Sequence, residues 1–217
     1  MSFWVLFYVF SSPSLLADLR NEVQNHLLQH NNHEDADCIK AQEDYLDVSR
    51  IQSNCPLLMS TWNEVLRIVT LTATTNRCVL ADTYIGDQIL LKKGGIIQIP
   101  TGAFHSDHNI WGSNVNEFDP RRFLSSKQVH RSAAFRPFGG GSTMRPGRYL
   151  AVTEILGFVS AVILGFEISL AESEWKLPKK DSRPFPWTVK PASDIKVVIR
   201  MRVGFEKTVW SFKRFDV

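Results

Sequence analysis

Phe135-Arg136-Pro137-Phe138-Gly139-Gly140-Gly141-Ser142-Thr143-Met144-Arg145-Pro146-Gly147-Arg148 is the stretch on which the reading of this chain turns. Three consecutive glycines follow an aromatic residue and precede Pro146-Gly147-Arg148, and an apolar run suited to a helix begins at once. Glycine reaches positive φ without steric cost and, lacking a Cβ, lets another group come close to the backbone. Such a loop suits a flat ligand. With Arg145 and Arg148 at a helix start it also suits an anion. The nucleotide patterns do not fit, because no Gly-Lys-Ser/Thr follows the glycines and the dinucleotide fingerprint is absent.

Working outward, the chain has 217 residues, 44% hydrophobic and 22% charged. Those are values of a globular protein able to bury a core, in one domain or two small ones. A net charge of +3 and a pI of about 8.8 are too mild to indicate nucleic acid as a partner. Cys38, Cys55 and Cys78 have no metal-like spacing, and their odd number suits a reducing, intracellular compartment. There is no internal repeat and no low-complexity tract.

Phe3 to Phe10 is apolar but too short to span a bilayer, and it lacks the basic flank and cleavage site of a signal peptide. Ser11-Ser12-Pro13 is a helix start, and Leu15, Leu19, Val23 and Leu27 then form one stripe. His30 to Asp37 reads as a polar loop. Cys55-Pro56 opens a second helix with Leu58, Trp62, Val65, Leu66 and Val69 on one side. Glu64 and Arg67 fall on the other, where the simplest reading is a surface i,i+3 ion pair worth roughly 0.2–0.5 kcal/mol. Val79 to Ile85, Gln88 to Leu91 and Ile96 to Pro100 read as strands of a small antiparallel sheet, with Lys92 to Gly95 as a turn. Tyr149 to Phe166 approaches spanning length, but Thr153, Glu154 and Ser160 inside it point to a buried core helix rather than a transmembrane anchor. After Pro178, Pro184 and Pro186, Val189 to Val203 alternates like a strand with one solvated face.

These segments together resemble the C-terminal half of a cytochrome P450. Phe138, Gly141 and Gly147 match the family's haem loop, Phe-x-x-Gly-x-x-x-Cys-x-Gly. Glu64-Val65-Leu66-Arg67 matches its Glu-x-x-Arg motif. Phe118-Asp119-Pro120-Arg121-Arg122-Phe123 is similar to its Phe-x-Pro-Glu-Arg-Phe, with Arg121 for the glutamate. The resemblance implies an α+β, mainly α fold, a single partial haem domain over 1–217 with small antiparallel sheets. Its parts would be the end of the central helix and the following helix (1–30), the Glu-x-x-Arg helix (56–70) and a β-region (72–100). The haem loop (135–148), a buried helix (149–166) and a β-rich tail (185–217) would follow. It further implies a buried structural network of Glu64, Arg67 and Arg122, in which a guanidinium grips the carboxylate as a bidentate fork. Haem is the implied cofactor, cradled by Phe138, Gly141, the residue at position 145 and Gly147, with Arg77 and His105 near the propionates. The implied partner is an NADPH-dependent reductase docking on Arg131, Arg136 and Arg148, in the cytoplasm or at the periphery of the endoplasmic reticulum.

The departure is at position 145, where the family has its axial cysteine and this chain has arginine. Haem-thiolate oxygenases need an anionic sulfur on iron to promote O–O cleavage. A guanidinium stays protonated, carries no acceptor lone pair and adds positive charge beside the metal, so Arg145 is not a ligand. Met144 diverges from its neighbour, and Cys55 and Cys78 flank the Glu-x-x-Arg helix away from the loop, so no metal ligand is assigned. The expectation is an inactive relative of a fungal-like oxygenase of lipophilic small molecules such as sterols, terpenoids or other secondary metabolites. The phrase Cys55 to Glu64 is similar to the sterol 7-hydroxylase and prostacyclin-synthase-like subgroup. The membrane anchor, the early helices and the acid–threonine pair that delivers protons to bound oxygen are expected to be missing. The alternative is a non-enzymatic interaction module whose exposed apolar faces a partner chain covers.

Overall fold

The structure, a computed structural model, describes residues 1–30, 43–71, 74–124, 133–140, 147–171, 174–181, 188–206 and 208–213. Helix α1 (Ser2–Phe10) meets α2 (Pro13–His26) at a bend of 114°. Proline at the first position of α2 costs no hydrogen bond, since that N–H has no helical acceptor. Leu15, Leu19, Val23 and Leu27 are all buried, as the four-residue spacing predicts. The chain then enters β1 (Leu28–His30) and, further on, β2 (Glu43–Asp47), so His30 ends a strand rather than opening a loop.

A 3₁₀ turn (Val48–Arg50) and α3 (Ile51–Asn54) lead into α4 (Pro56–Val69). The β-region differs from its sequence reading. Its first strand is β3 (Thr74–Cys78), not a run from Val79, and it pairs antiparallel with β6 (Ile96–Pro100). β4 (Thr83–Ile85) and β5 (Ile89–Leu91) form a separate hairpin across Gly86 and Asp87, both at positive φ. Short helices α5 (Thr101–His105) and α6 (His108–Trp111) follow, then α7 (Arg148–Gly165) after the glycine loop. β7 (Phe166–Leu170) pairs antiparallel with β8 (Val197–Met201), shorter than the predicted tail strand, and β9 (Val209–Lys213) lies last.

Among the described residues four of the five ladders are antiparallel, but β9 joins β2 in parallel to complete a three-stranded sheet of order β1-β2-β9. The main core lies among α1, α2, α4 and the second half of α7, with Trp4, Leu19, Leu58, Trp62, Leu156 and Leu164 fully buried. Among the described residues α7 is the one helix long and apolar enough by itself to cross a membrane. Half of it is buried, and its first turns expose Tyr149 and Leu150. A smaller core of Trp111, Val115, Phe123 and Ala134 sits beneath the approach to the glycine loop.

Helix ends here are capped from a distance. Cys55, the N-cap of α4, offers no side-chain bond, and Glu22 of α2 supplies it instead. Its Oε1 accepts from the Leu57 amide and its Oε2 from the Leu58 amide, both at 2.8 Å. A carboxylate at a helix N-terminus satisfies orphan donors and opposes the macrodipole. At the other end Lys180 Nζ donates to the Ile68 carbonyl at 2.9 Å, and the Val189 amide to Val69 at 3.0 Å. α7 is closed by two arginines: Arg20 Nε reaches the Ile163 carbonyl at 2.8 Å and Arg202 Nη1 that of Leu164 at 2.6 Å. Replacing Glu22 by alanine is expected to cost about 1–2 kcal/mol, and by glutamine, which keeps one acceptor oxygen, about half of that. Urea denaturation of the two variants beside the native chain measures both; equal midpoints for all three would remove the cap.

Candidate functional site

The site is built on α4. Its apolar side packs against α1 and α2, but its other side is covered as well, by α5 and the Glu117–Phe123 segment. Glu64 is fully buried and Arg67 nearly so, which overturns the surface-pair reading. Arg67 grips the carboxylate as a fork, Nε to Oε2 at 2.8 Å and Nη2 to Oε1 at 2.8 Å. Arg122 Nε comes to the same Oε1 at 3.0 Å, and the Asp119 amide at 3.2 Å. One carboxylate thus binds two guanidiniums, and the excess positive charge is met by backbone oxygens. Arg122 donates to the carbonyls of Trp111, Asn114 and Glu117 and to Asn114 Oδ1, over distances of 2.9–3.2 Å. Arg67 Nη1 donates to the His105 carbonyl at 2.9 Å, and its guanidinium lies 5.4 Å from the Trp111 ring centroid. Tyr8 packs nearby, stacked on Phe118 at 4.1 Å. Burial, helped by the Glu64 charge, pushes its phenol up to about 12.

The resemblance implies a propionate contact for His105; the structure gives both of its ring nitrogens to the backbone. Nδ1 lies 3.1 Å from the Arg67 carbonyl, and Nε2 accepts from the Arg136 amide at 3.1 Å. An amide donor at Nε2 and a carbonyl at Nδ1 require the neutral tautomer protonated on Nδ1. The residue is fully buried, and that burial brings its pKa down to about 4. α5 can lie this close because Gly102 has no side chain: a Cβ there would run into the Leu71 carbonyl.

Of the loop residues, Phe138 is half-buried against the main core, and Gly139 stands at φ +83°, a conformation that favours glycine. Arg77, exposed on β3, donates through Nη2 to the Gly140 carbonyl at 3.0 Å, which places it at the loop. Gly147 is the N-cap of α7, with open space where a Cβ would be. Gly141, Met144 and Arg145 lie outside the described residues, as do Cys38 and Arg131. Arg136 turns its Nε onto the Ala133 carbonyl at 2.6 Å, and Arg148 lies over the Tyr149 ring at 4.2 Å.

The donor chemistry at position 145 and among the described residues does not fit a haem held through its iron. Position 145 is arginine. Cys55 is sealed at the start of α4, where burial, then the Glu22 charge, pushes its thiol up to about 12. Cys78 follows Arg77 on β3, and neighbours on a strand point to opposite faces, so it is directed away from the loop that Arg77 touches. Among the described residues no group of three His, Cys, Asp or Glu side chains is placed to hold a metal ion. Asn114, the acceptors at Glu117 and Trp111, and the His105–Arg136 bond were not read from the sequence; backbone acceptors leave no residue-type signature.

Removing one member of a buried charge cluster leaves the others unpaired, so Glu64→Gln and Arg122→Ala should each destabilise the chain by about 3–5 kcal/mol. A double-mutant cycle in urea checks this, and a loss below about 1 kcal/mol would match an exposed pair instead. His105 adds a pH dependence. The unfolded chain takes a proton there near 6.5, but the folded chain only near 4. Its contribution is therefore complete above pH 6.5 and is lost as the pH falls toward 4, by roughly 3 kcal/mol in all. His105→Phe should flatten that limb of a stability–pH profile.

Residues 2–197 match the family model described as Cytochrome P450. The chain is 33% identical over 222 residues to the cytochrome P450 monooxygenase nodJ of Hypoxylon pulicicidum, covering 98% of itself and 42% of that protein. It is 34% identical to a cytochrome P450 monooxygenase of Gibberella zeae, covering 97% of itself and 41% of the relative. In fold it is similar to a zebrafish cytochrome P450 solved with abiraterone, at a TM-score of 0.66 and 24% identity over 92% of this chain and 43% of that one. It therefore spans about two fifths of the length of these relatives. On the family match and the helical fold with its small sheets, this chain belongs to the cytochrome P450 family.

Proposed function

We propose that this chain keeps the scaffold of a P450 haem loop without the means to ligate iron, and that it does not itself catalyse oxygenation. The observation that carries the reading is Arg145 at the thiolate position, because a guanidinium has no lone pair to give the metal. The buried Glu64–Arg67–Arg122 network and the Arg77–Gly140 bond support a retained scaffold. Its ancestry is that of an oxygenase of lipophilic small molecules such as sterols or terpenoids. The likeness of Cys55 to Glu64 to the sterol 7-hydroxylase and prostacyclin-synthase-like subgroup supports that substrate class, and the fungal monooxygenases among its relatives are consistent with it.

A second reading, an interaction module, is favoured by a specific observation. Leu80, Tyr84, Ile85, Ile89 and Ile96 are all more than half exposed around the β4–β5 hairpin. Apolar side chains gathered in this way mark surfaces that a partner covers. In this reading the partner is a protein chain; in the oxygenase reading it is a reductase.

The test is an absorption spectrum of the purified chain after haem reconstitution, reduced under carbon monoxide, beside Arg145→Cys. The native chain should lack the red-shifted Soret band of thiolate ligation and the cysteine variant should acquire it. A thiolate band in the native chain would refute the proposal. If neither version retains haem, the interaction module becomes the better account.

A further inference from the structure

The Glu64 network and the glycine loop are separate motifs in the sequence, and the structure shows one side chain between them. His105 is tied to Arg67 at both of its ends. The Arg67 guanidinium donates to the His105 carbonyl at 2.9 Å, and the His105 ring meets the Arg67 carbonyl at 3.1 Å. α4 and the end of α5 are thereby fixed as a pair. The opposite ring nitrogen then receives the Arg136 amide at 3.1 Å. Packing holds the ring at that angle, with Phe135 stacked on it at 5.6 Å and 26° and Trp111 edge-on at 6.5 Å and 90°. Phe135 in turn lies against Phe123 at 4.8 Å, so the segment bearing Arg122 meets the same ring system.

Arg136 is where the turn into the loop starts. Its carbonyl accepts from the Gly139 amide at 3.2 Å, and Gly139 takes the left-handed conformation that redirects the chain. The next carbonyl, Gly140, is the one that Arg77 holds at 3.0 Å. We infer that His105 is a positioning residue, the acceptor through which the buried Glu64–Arg67 pair sets the backbone of Arg136 at the approach to the glycine loop, with Arg77 fixing the far side of the same turn. Phenylalanine would fill the space and stack equally well but could not make this link; only a ring with one donor and one acceptor nitrogen satisfies the Arg67 carbonyl and the Arg136 amide together. The inference does not depend on whether haem binds.

Nuclear magnetic resonance of the full ¹⁵N-labelled chain at neutral pH tests it. In the native protein the His105 ring should be protonated on Nδ1 alone, with a scalar coupling carried across the hydrogen bond from the Arg136 amide to Nε2. In His105→Phe the Arg136 amide should exchange with solvent at least about tenfold faster while the central amides of α4 keep their native rates. A proton on Nε2 in the native chain would overturn the inference, because two donors would then face each other. So would an unchanged Arg136 rate in the variant, or an equal rise throughout α4, which would reduce His105 to ordinary core packing. Should His105→Phe fail to fold, the coupling in the native chain decides alone: its presence supports the link and its absence overturns it.

Discussion

The structure depends on one buried carboxylate. Glu64 has no access to water, so its charge must be met by neighbours, and two guanidiniums and a backbone amide converge on it. A buried carboxylate is not stabilising in itself, since removing both partners from water costs much of what their attraction returns. What it supplies is uniqueness of arrangement. Arg67 and Arg122 arrive from different segments and are planar forks, so satisfying both at one carboxylate fixes α4 against the Asp119–Phe123 segment in position and angle. Their remaining donors are matched to the carbonyls of Trp111 at the end of α6 and of Asn114 and Glu117 in the irregular segment after it.

The same economy of long-range polar contacts appears at the helix ends. α4 receives a carboxylate from α2 at its start and an ammonium from Lys180 at its finish, and α7 receives Arg20 and Arg202. Each charge has the sign that opposes the local end of the macrodipole. Because each cap comes from another part of the chain, it does two things at once: it satisfies orphan backbone groups and holds one element against another. Lys180 is held partly away from water and close to Arg67, both of which lower its pKa. Its ammonium therefore relies on the Ile68 carbonyl for part of its compensation.

What could be read in the sequence follows from range. The α2 stripe, the proline starts of α2 and α4 and the motif residues of the network are local patterns, and they were legible. The strand at Thr74–Cys78 was not, because Thr-Thr-Asn-Arg-Cys has no apolar alternation and is mostly exposed on both faces. It is a strand because Ile96–Pro100 pairs with it in full register, which no local window shows. The parallel pairing of β2 with β9 is the extreme case, joining Glu43–Asp47 to Val209–Lys213 across most of the chain. For the site, the resemblance implied a buried network around Glu64, whereas helical period alone put the Glu64–Arg67 pair on a face open to solvent. Period gives the angle between two side chains, and burial depends on what else packs there.

His105 shows why the remaining part of the site stayed hidden. A histidine beside a cofactor loop invites a role toward the cofactor, yet here both ring nitrogens answer backbone groups. The consequence bears on Arg145. The contacts that fix the approach to the loop are made at the Arg136 amide, the Arg136 carbonyl and the Gly140 carbonyl, and the side chains that make them are His105 and Arg77. None of these bonds uses the side chain at position 145. A cysteine has a thiolate to offer iron and an arginine has no lone pair to offer, and this difference lies outside the bonds that hold the scaffold upstream. The side chain at position 145 and the bonds that fix the approach to the loop are therefore separate features of this chain, and every described bond of the Glu64 network is made by other residues.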